Sequence, residues 1–158
     1  KVMDEQASAE AMLSVLMAKF TGANLIHDVG YMESGLTTSF EMIVLTDEII
    51  SMTENIVQGI AVSPETMLLD ELDEVGPGGH FLSTAKTMER YRDFWYPNLF
   101  SREIYETWEE RGATTLGERL TAKVKTILDE YLPQPLDPDK KQALQEILAQ
   151  AEATLETE

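Results

Sequence analysis

Ala23-Asn24-Leu25-Ile26-His27-Asp28-Val29-Gly30-Tyr31 is the stretch on which the fold of this chain turns. It is apolar at Leu25, Ile26 and Val29, flanked by Gly22 and Gly30, and too short for an amphipathic helix, so its composition predicts a β-strand. No second run of this kind occurs, and one strand has no sheet to join. Either the segment is a loop or its partners lie in polypeptide outside these 158 residues. That mismatch predicts a segment of a larger α/β protein. The opening at Lys1, inside an amphipathic pattern and without an initiator Met, points the same way; tag removal from a complete protein is the alternative.

Outward from this run the spacing predicts helices. Met3, Ala7, Ala11, Val15 and Ala18 recur at helical intervals over about 3–21, and Gly22 stops them. A glycine-containing loop, Met32 to Thr38, leads to a helix over about 39–58 with a stripe of Met42, Leu45, Ile49, Met52 and Ile56. Ser63-Pro64 reads as an N-cap and first helical residue, starting a helix that runs through Met67, Leu68, Leu69 and Leu72 to near Val75. Gly76-Pro77-Gly78-Gly79-His80-Phe81-Leu82 must be a loop. Ser83 or Thr84 then caps a short helix to about Tyr91. Ser101-Arg102-Glu103 opens another, closed at Gly112, and Thr115 with Glu118 forms a capping box. Leu120, Val124, Ile127, Leu128 and Tyr131 share a face of the helix that follows, which ends before Pro133. Asp137-Pro138 starts the last helix, with Leu144, Ile147, Leu148, Ala151 and Leu155 on one side. Its acidic end, Glu152 to Glu158, opposes the helix dipole and should fray.

Composition narrows function. With 29 acidic and 12 basic residues the formal charge is −17, which excludes a phosphate-binding basic footprint and disfavours an anionic membrane surface. Hydrophobic residues make up 43%, enough for a core. The absence of cysteine excludes disulfides, thiolate metal sites and a cysteine nucleophile. A cytoplasmic location is the expectation.

Three places could carry chemistry. His27, Asp28 and Tyr31 stand where the end of a parallel strand would face a substrate, with Glu41 at the next helix start; hydrogen-bonded packing is the structural reading of the same residues. The adjacent His27-Asp28 pair also suggests a metal phosphohydrolase, but only His80 remains as a further histidine, so that chemistry and any resident metal are rejected. The glycines at 76–79 can set the backbone angles that position His80 and Phe81, or simply join two helices; a phosphate loop is disfavoured without its lysine. Phe81, Phe94, Trp95, Tyr96, Phe100, Tyr105 and Trp108 could cage a quaternary ammonium in a negative field, or pack helices together. Acidic runs such as Asp70-Glu71 and Asp73-Glu74 are solvated helix faces that can also steer a cation.

Three blocks taken in order resemble the C-terminal part of the trimethylamine methyltransferase family. They are Lys1 to Gln6; Gly22 to Tyr31 with Gly35 and Ser39-Phe40-Glu41; and Asp73 to Leu82, leading to Pro97 and Tyr105-Glu106-Thr107-Trp108. The resemblance covers most of residues 1–112 and thins into ordinary helix over 113–158. It implies the C-terminal segment of a (β/α)8 TIM-type barrel, an α/β parent of which this piece is mostly α-helical with one or two short strands. It implies methyl transfer from a tertiary or quaternary amine, such as trimethylamine or a betaine, to the cobalt of a corrinoid (cobalamin) carried by a separate protein. Family members acting on trimethylamine use pyrrolysine, at a position that would precede Lys1. His27, Tyr31, Phe40, Glu41, His80 and Phe81 are the implied substrate-binding residues; no catalytic residue is assigned. The cognate corrinoid protein and a small methylated amine are the implied partners. Unpaired strand edges also predict self-association into a homo-oligomer, or conversion of the strand to helix or loop. A non-catalytic acidic helical interaction module and a methylated-amine binding domain are the rivals. The segment alone is expected to be inactive.

Overall fold

A computed structural model describes residues 1–155 and shows a mostly helical chain with one small sheet. Its contacts divide it into two compact units, Lys1–Thr126 and Ile127–Glu158.

In the first unit, α1 (Glu5–Phe20) begins at Asp4, whose carboxylate accepts from the Ala7 N–H at 3.0 Å, and ends before Gly22 at φ +73°. The expected parallel strand does not form. Residues 25–28 have no ladder, and Leu25 is 84% exposed. The sheet lies just beyond, where β1 (Tyr31–Met32) and β2 (Thr37–Thr38) pair antiparallel, Tyr31 opposite Thr38 and Met32 opposite Thr37. The reason is elementary: a parallel strand needs a neighbour beside it, whereas two adjacent segments can pair across a tight loop. Of the two outcomes expected for an orphan strand, this is conversion to loop.

Ser39 caps α2 (Phe40–Val57), accepting from the Met42 N–H at 3.3 Å. Gly30 lets the preceding loop close onto this helix. At φ +81° it occupies backbone space that L side chains rarely adopt, and a Cβ there would stand 2.3 Å from Ile43 Cγ1. The Gly30 carbonyl accepts from the Ser39 N–H and the Thr38 hydroxyl, both at 3.2 Å, so the turn and the helix start are one hydrogen-bonded unit.

The expected helix over 64–75 is broken in two. Ser63 and Thr66 form a reciprocal capping box on α3 (Pro64–Met67), Leu68 takes a left-handed conformation at φ +50°, and α4 (Leu69–Val75) follows. Nothing in the local sequence explains the break at Leu68. Thr84, not Ser83, caps α5 (Ala85–Arg90). α6 (Tyr105–Glu110) starts later than expected, and Glu103, expected inside it, instead pairs with Arg111.

α7 (Leu116–Glu130) opens on the expected capping box. Glu118 accepts from the Thr115 N–H at 2.7 Å and its hydroxyl at 2.8 Å, while Thr115 Oγ1 accepts from the Glu118 N–H at 3.2 Å. The Thr115 N–H, and then its hydroxyl, hold the Glu118 carboxyl below the usual carboxylate range. A folded value below the unfolded one stabilises the fold above the unfolded pKa, about 4.3 for Glu, and this contribution is lost as pH falls through the folded value. Glu118→Gln keeps a box acceptor but cannot ionise. The wild type should therefore exceed E118Q in urea stability at neutral pH by a margin that shrinks towards about pH 3.5. A margin that does not change with pH would contradict this reading.

The core is small: Val15 of α1, Met42, Leu45 and Ile49 of α2, and Leu120 of α7, with Met3, Ala7, Ala11 and Met12 packed against it. The alanines of α1 let α2 approach closely. The second unit holds the last residues of α7, an extended linker over 131–137 and α8 (Pro138–Leu155). Asp137 starts α8, its Oδ1 accepting from the Asp139 N–H at 3.0 Å. The expected fraying at Glu152–Glu158 falls outside the described residues at 156–158; α8 is helical through Leu155.

Candidate functional site

The residues before α1, one side of α1 from Gln6 to Ala18, the segment over 26–35 and the first turns of α2 line a groove of about 880 Å³. Its lining carries the carboxylates of Asp4, Glu10, Asp28 and Glu33 against one lysine, Lys1. His27 and Tyr31 both line it. The loop chemistry places them. Asp28 sits at φ +65°, a left-handed position that aspartate tolerates, and Gly30 turns the chain into β1. His27 Nδ1 lies 2.7 Å from Asp28 Oδ2. Both side chains are largely exposed, at 80% and 69%. Tyr31 is 51% exposed.

The other expected site residues lie elsewhere. Phe40, the first residue of α2, is 61% exposed and does not line the groove. Glu41 is engaged in holding the fold: Oε2 accepts from the Ser39 hydroxyl at 2.9 Å and Oε1 from the Thr121 hydroxyl at 3.3 Å. Its own backbone N–H, then Ser39, hold its carboxyl below the ordinary range. His80 lines a separate depression of about 420 Å³ with Glu71, Glu74, Ser83 and Thr84, reached through Gly76 at φ +63° and Gly78 at φ +79°. Phe81 is 45% exposed beside it, and its carbonyl accepts from the Thr84 N–H at 3.1 Å. This chain thus brings His27 and Tyr31 together and sets His80 and Phe81 apart from them.

The aromatic residues form no cage here. Trp95 Nε1 donates to Ser51 Oγ at 2.8 Å, and the Arg102 guanidinium lies 5.4 Å from the Trp95 ring centroid. Trp108 Nε1 donates to the Thr114 carbonyl at 2.9 Å, and its ring meets Tyr105 with centroids 5.6 Å apart. These rings tie the segments between helices to the helices.

Two residues that sequence reasoning passed over hold the stretch at 97–100. Glu48, buried on α2, accepts from the Leu99 N–H at 2.8 Å and the Phe100 N–H at 3.4 Å through Oε1. Arg119 of α7 donates through Nε to the Leu99 carbonyl at 2.8 Å, and through its terminal guanidinium nitrogen to the Thr114 carbonyl. A carboxylate and a guanidinium therefore satisfy the two backbone groups of one residue from opposite sides. The signal was present: Glu48 stands inside the apolar stripe, three residues after Leu45 and next to Ile49.

Among the described residues no three His, Asp or Glu side chains converge as a metal site, and no helix is long and apolar enough to cross a membrane. The profile of the trimethylamine methyltransferase (MTTB) family matches residues 1–156. The chain belongs to that family. It is 34% identical to a glycine betaine methyltransferase of Desulfitobacterium hafniense over 152 residues, which are 95% of this chain and 32% of that protein. It is 33% identical to trimethylamine methyltransferase MttB2 of Methanosarcina mazei and 32% identical to trimethylamine methyltransferase MttB of Methanosarcina barkeri, in each case over 96% of this chain and 31% of the relative. The chain spans about a third of the length of the curated relatives it matches. The family expected from the residues at 1–6, 22–41 and 73–108 is the family found.

Proposed function

We propose that these 158 residues are the C-terminal part of a cytoplasmic (β/α)8-barrel enzyme that demethylates a tertiary or quaternary amine, with 1–112 completing the barrel and 113–158 forming a helical extension. The observation that carries this is the family match across 1–156 in a chain only a third as long as its relatives. Burial supports it. Leu13, Met17, Phe20, Leu25, Leu36 and Phe40, all on or beside the α1–α2 pair, are more than half exposed. An apolar surface of that extent fits the cut face of a larger core. In the completed barrel the loop at 23–29 would gain the strand neighbours it lacks here.

In this reading His27 and Tyr31 form one wall of the amine site, the acidic lining of the groove draws in the cation, and Phe40, Glu41, His80 and Phe81 join them once the barrel is whole. The methyl acceptor is the corrinoid of a partner protein, which supplies a cobalt nucleophile. The residues of this chain act on the amine rather than on the acceptor. Their part is to orient the ammonium and exclude water from it.

The test uses the full-length reading frame with cob(I)alamin and either trimethylamine or glycine betaine. Methylcobalamin should appear with one of them, and the 158-residue chain alone should produce none. His27→Ala in the full-length enzyme should raise KM for the amine by roughly tenfold, consistent with loss of a binding contact. No transfer from either amine, or turnover by the 158-residue chain, refutes the proposal.

A further inference from the structure

α8 carries a face that nothing in its own unit covers. Every described residue from Lys125 to Thr154 is solvent-exposed, including Leu144 at 49%, Ile147 at 62% and Leu148 at 62%. At about 100° per residue, Leu144, Ile147, Leu148 and Ala151 fall within an arc of roughly 100°, a continuous apolar stripe. One flank of that stripe carries a positive charge near the helix start, Lys141, and a negative charge near its end, Glu152. Among the described residues neither of them forms an ion pair.

We infer that this face pairs antiparallel with α8 of a second copy of the chain. The spacing of the stripe is the same read from either end. With a two-fold axis between positions 147 and 148, Leu144 of one copy faces Ala151 of the other, a large side chain against a small one, while on the two sides of the seam Ile147 meets Ile147 and Leu148 meets Leu148 of the second copy. The same axis brings residues on one flank of one helix against the same flank of its partner. Lys141 then comes within about 3 Å of the level of Glu152 of the second copy, and the symmetry makes the bridge twice. The parallel arrangement puts the two copies of this flank on opposite sides of the seam, where Lys141 and Glu152 cannot meet, so only the antiparallel one forms the bridge. The helix dipoles also favour it. This inference is independent of the proposed activity, because its readout is association and not methyl transfer.

Sedimentation equilibrium of the 158-residue chain at about 0.15 M salt, where pairs in contact are only partly screened, should show a reversible dimer. Lys141→Glu and Glu152→Lys should each raise the dimer Kd roughly tenfold, and K141E/E152K together should restore it to within about threefold. Leu148→Asp should give monomer with unchanged helix content by circular dichroism. Because the chain has no cysteine, mixed Leu144→Cys and Ala151→Cys chains should form the heterodisulfide in preference to either homodisulfide on mild oxidation. A chain that stays monomeric to about 1 mM overturns the inference. So does a dimer indifferent to L148D, which would place the contact on the apolar α1–α2 surface. Predominance of the L144C homodisulfide would establish parallel pairing and overturn it equally.

Discussion

Leu120→Ala should lower the unfolding free energy of the first unit by about 2–5 kcal/mol, the range for truncating a fully buried leucine. Leu120 is 0% exposed and is the α7 member of a core otherwise made by α1 and α2. The position has little capacity to adjust, since Leu45 and Ile49 beside it are themselves at 1% and 2%. The truncation thus removes contacts where three helices share an apolar centre. A marginal domain stability of about 5–15 kcal/mol makes such a loss plain in a urea titration followed by circular dichroism. Ile127→Ala, on the same helix but 42% exposed, should cost much less. Equal losses at the two positions would mean that this small core does not hold the unit together.

Glu48→Ala should cost about 2–3 kcal/mol, because it strips the acceptor from the Leu99 and Phe100 N–H groups and leaves a cavity on α2. Glu48→Gln keeps an oxygen there and loses only the charge assistance, so it should fall about midway. Arg119, still donating to the Leu99 carbonyl, would then hold the segment from one side only. Hydrogen exchange separates this from a general loss of stability. The Leu99 amide should exchange faster in E48A by more than amides within α1 do. Uniform acceleration would show that Glu48 acts only through overall packing.

Much of the helical layout was legible because short-range chemistry dictates it. Ser63, Thr84, Thr115 and Asp137 carry oxygens placed to accept from the N–H groups left free at a helix start, and each contact is made within three residues. The stripe of Met42, Leu45 and Ile49 was equally readable, as a helical period has only one apolar face. The break at Leu68 was not, for no glycine or proline marks it. Of the candidate groove, one pairing was legible. His27 and Tyr31 reach one groove because the loop between Gly22 and Gly30 is short and turns at glycines. Glu41, read as a pocket carboxylate, accepts from Ser39 and Thr121 here; the second bond spans 80 residues and could not be foreseen from spacing.

Order along the chain was enough for the family, the helix starts and the acidic, cysteine-free character, since each rests on residue identity and near neighbours. Distance in space settled the rest. Leu25 to Val29 has strand composition yet lies as a loop, because hydrogen bonding between strands is a property of two segments and the described chain offers no second one beside it. His80 stands apart from His27, and Glu48 meets the backbone at Leu99, for the same reason: which faces close on one another depends on packing between elements, and no local pattern encodes it.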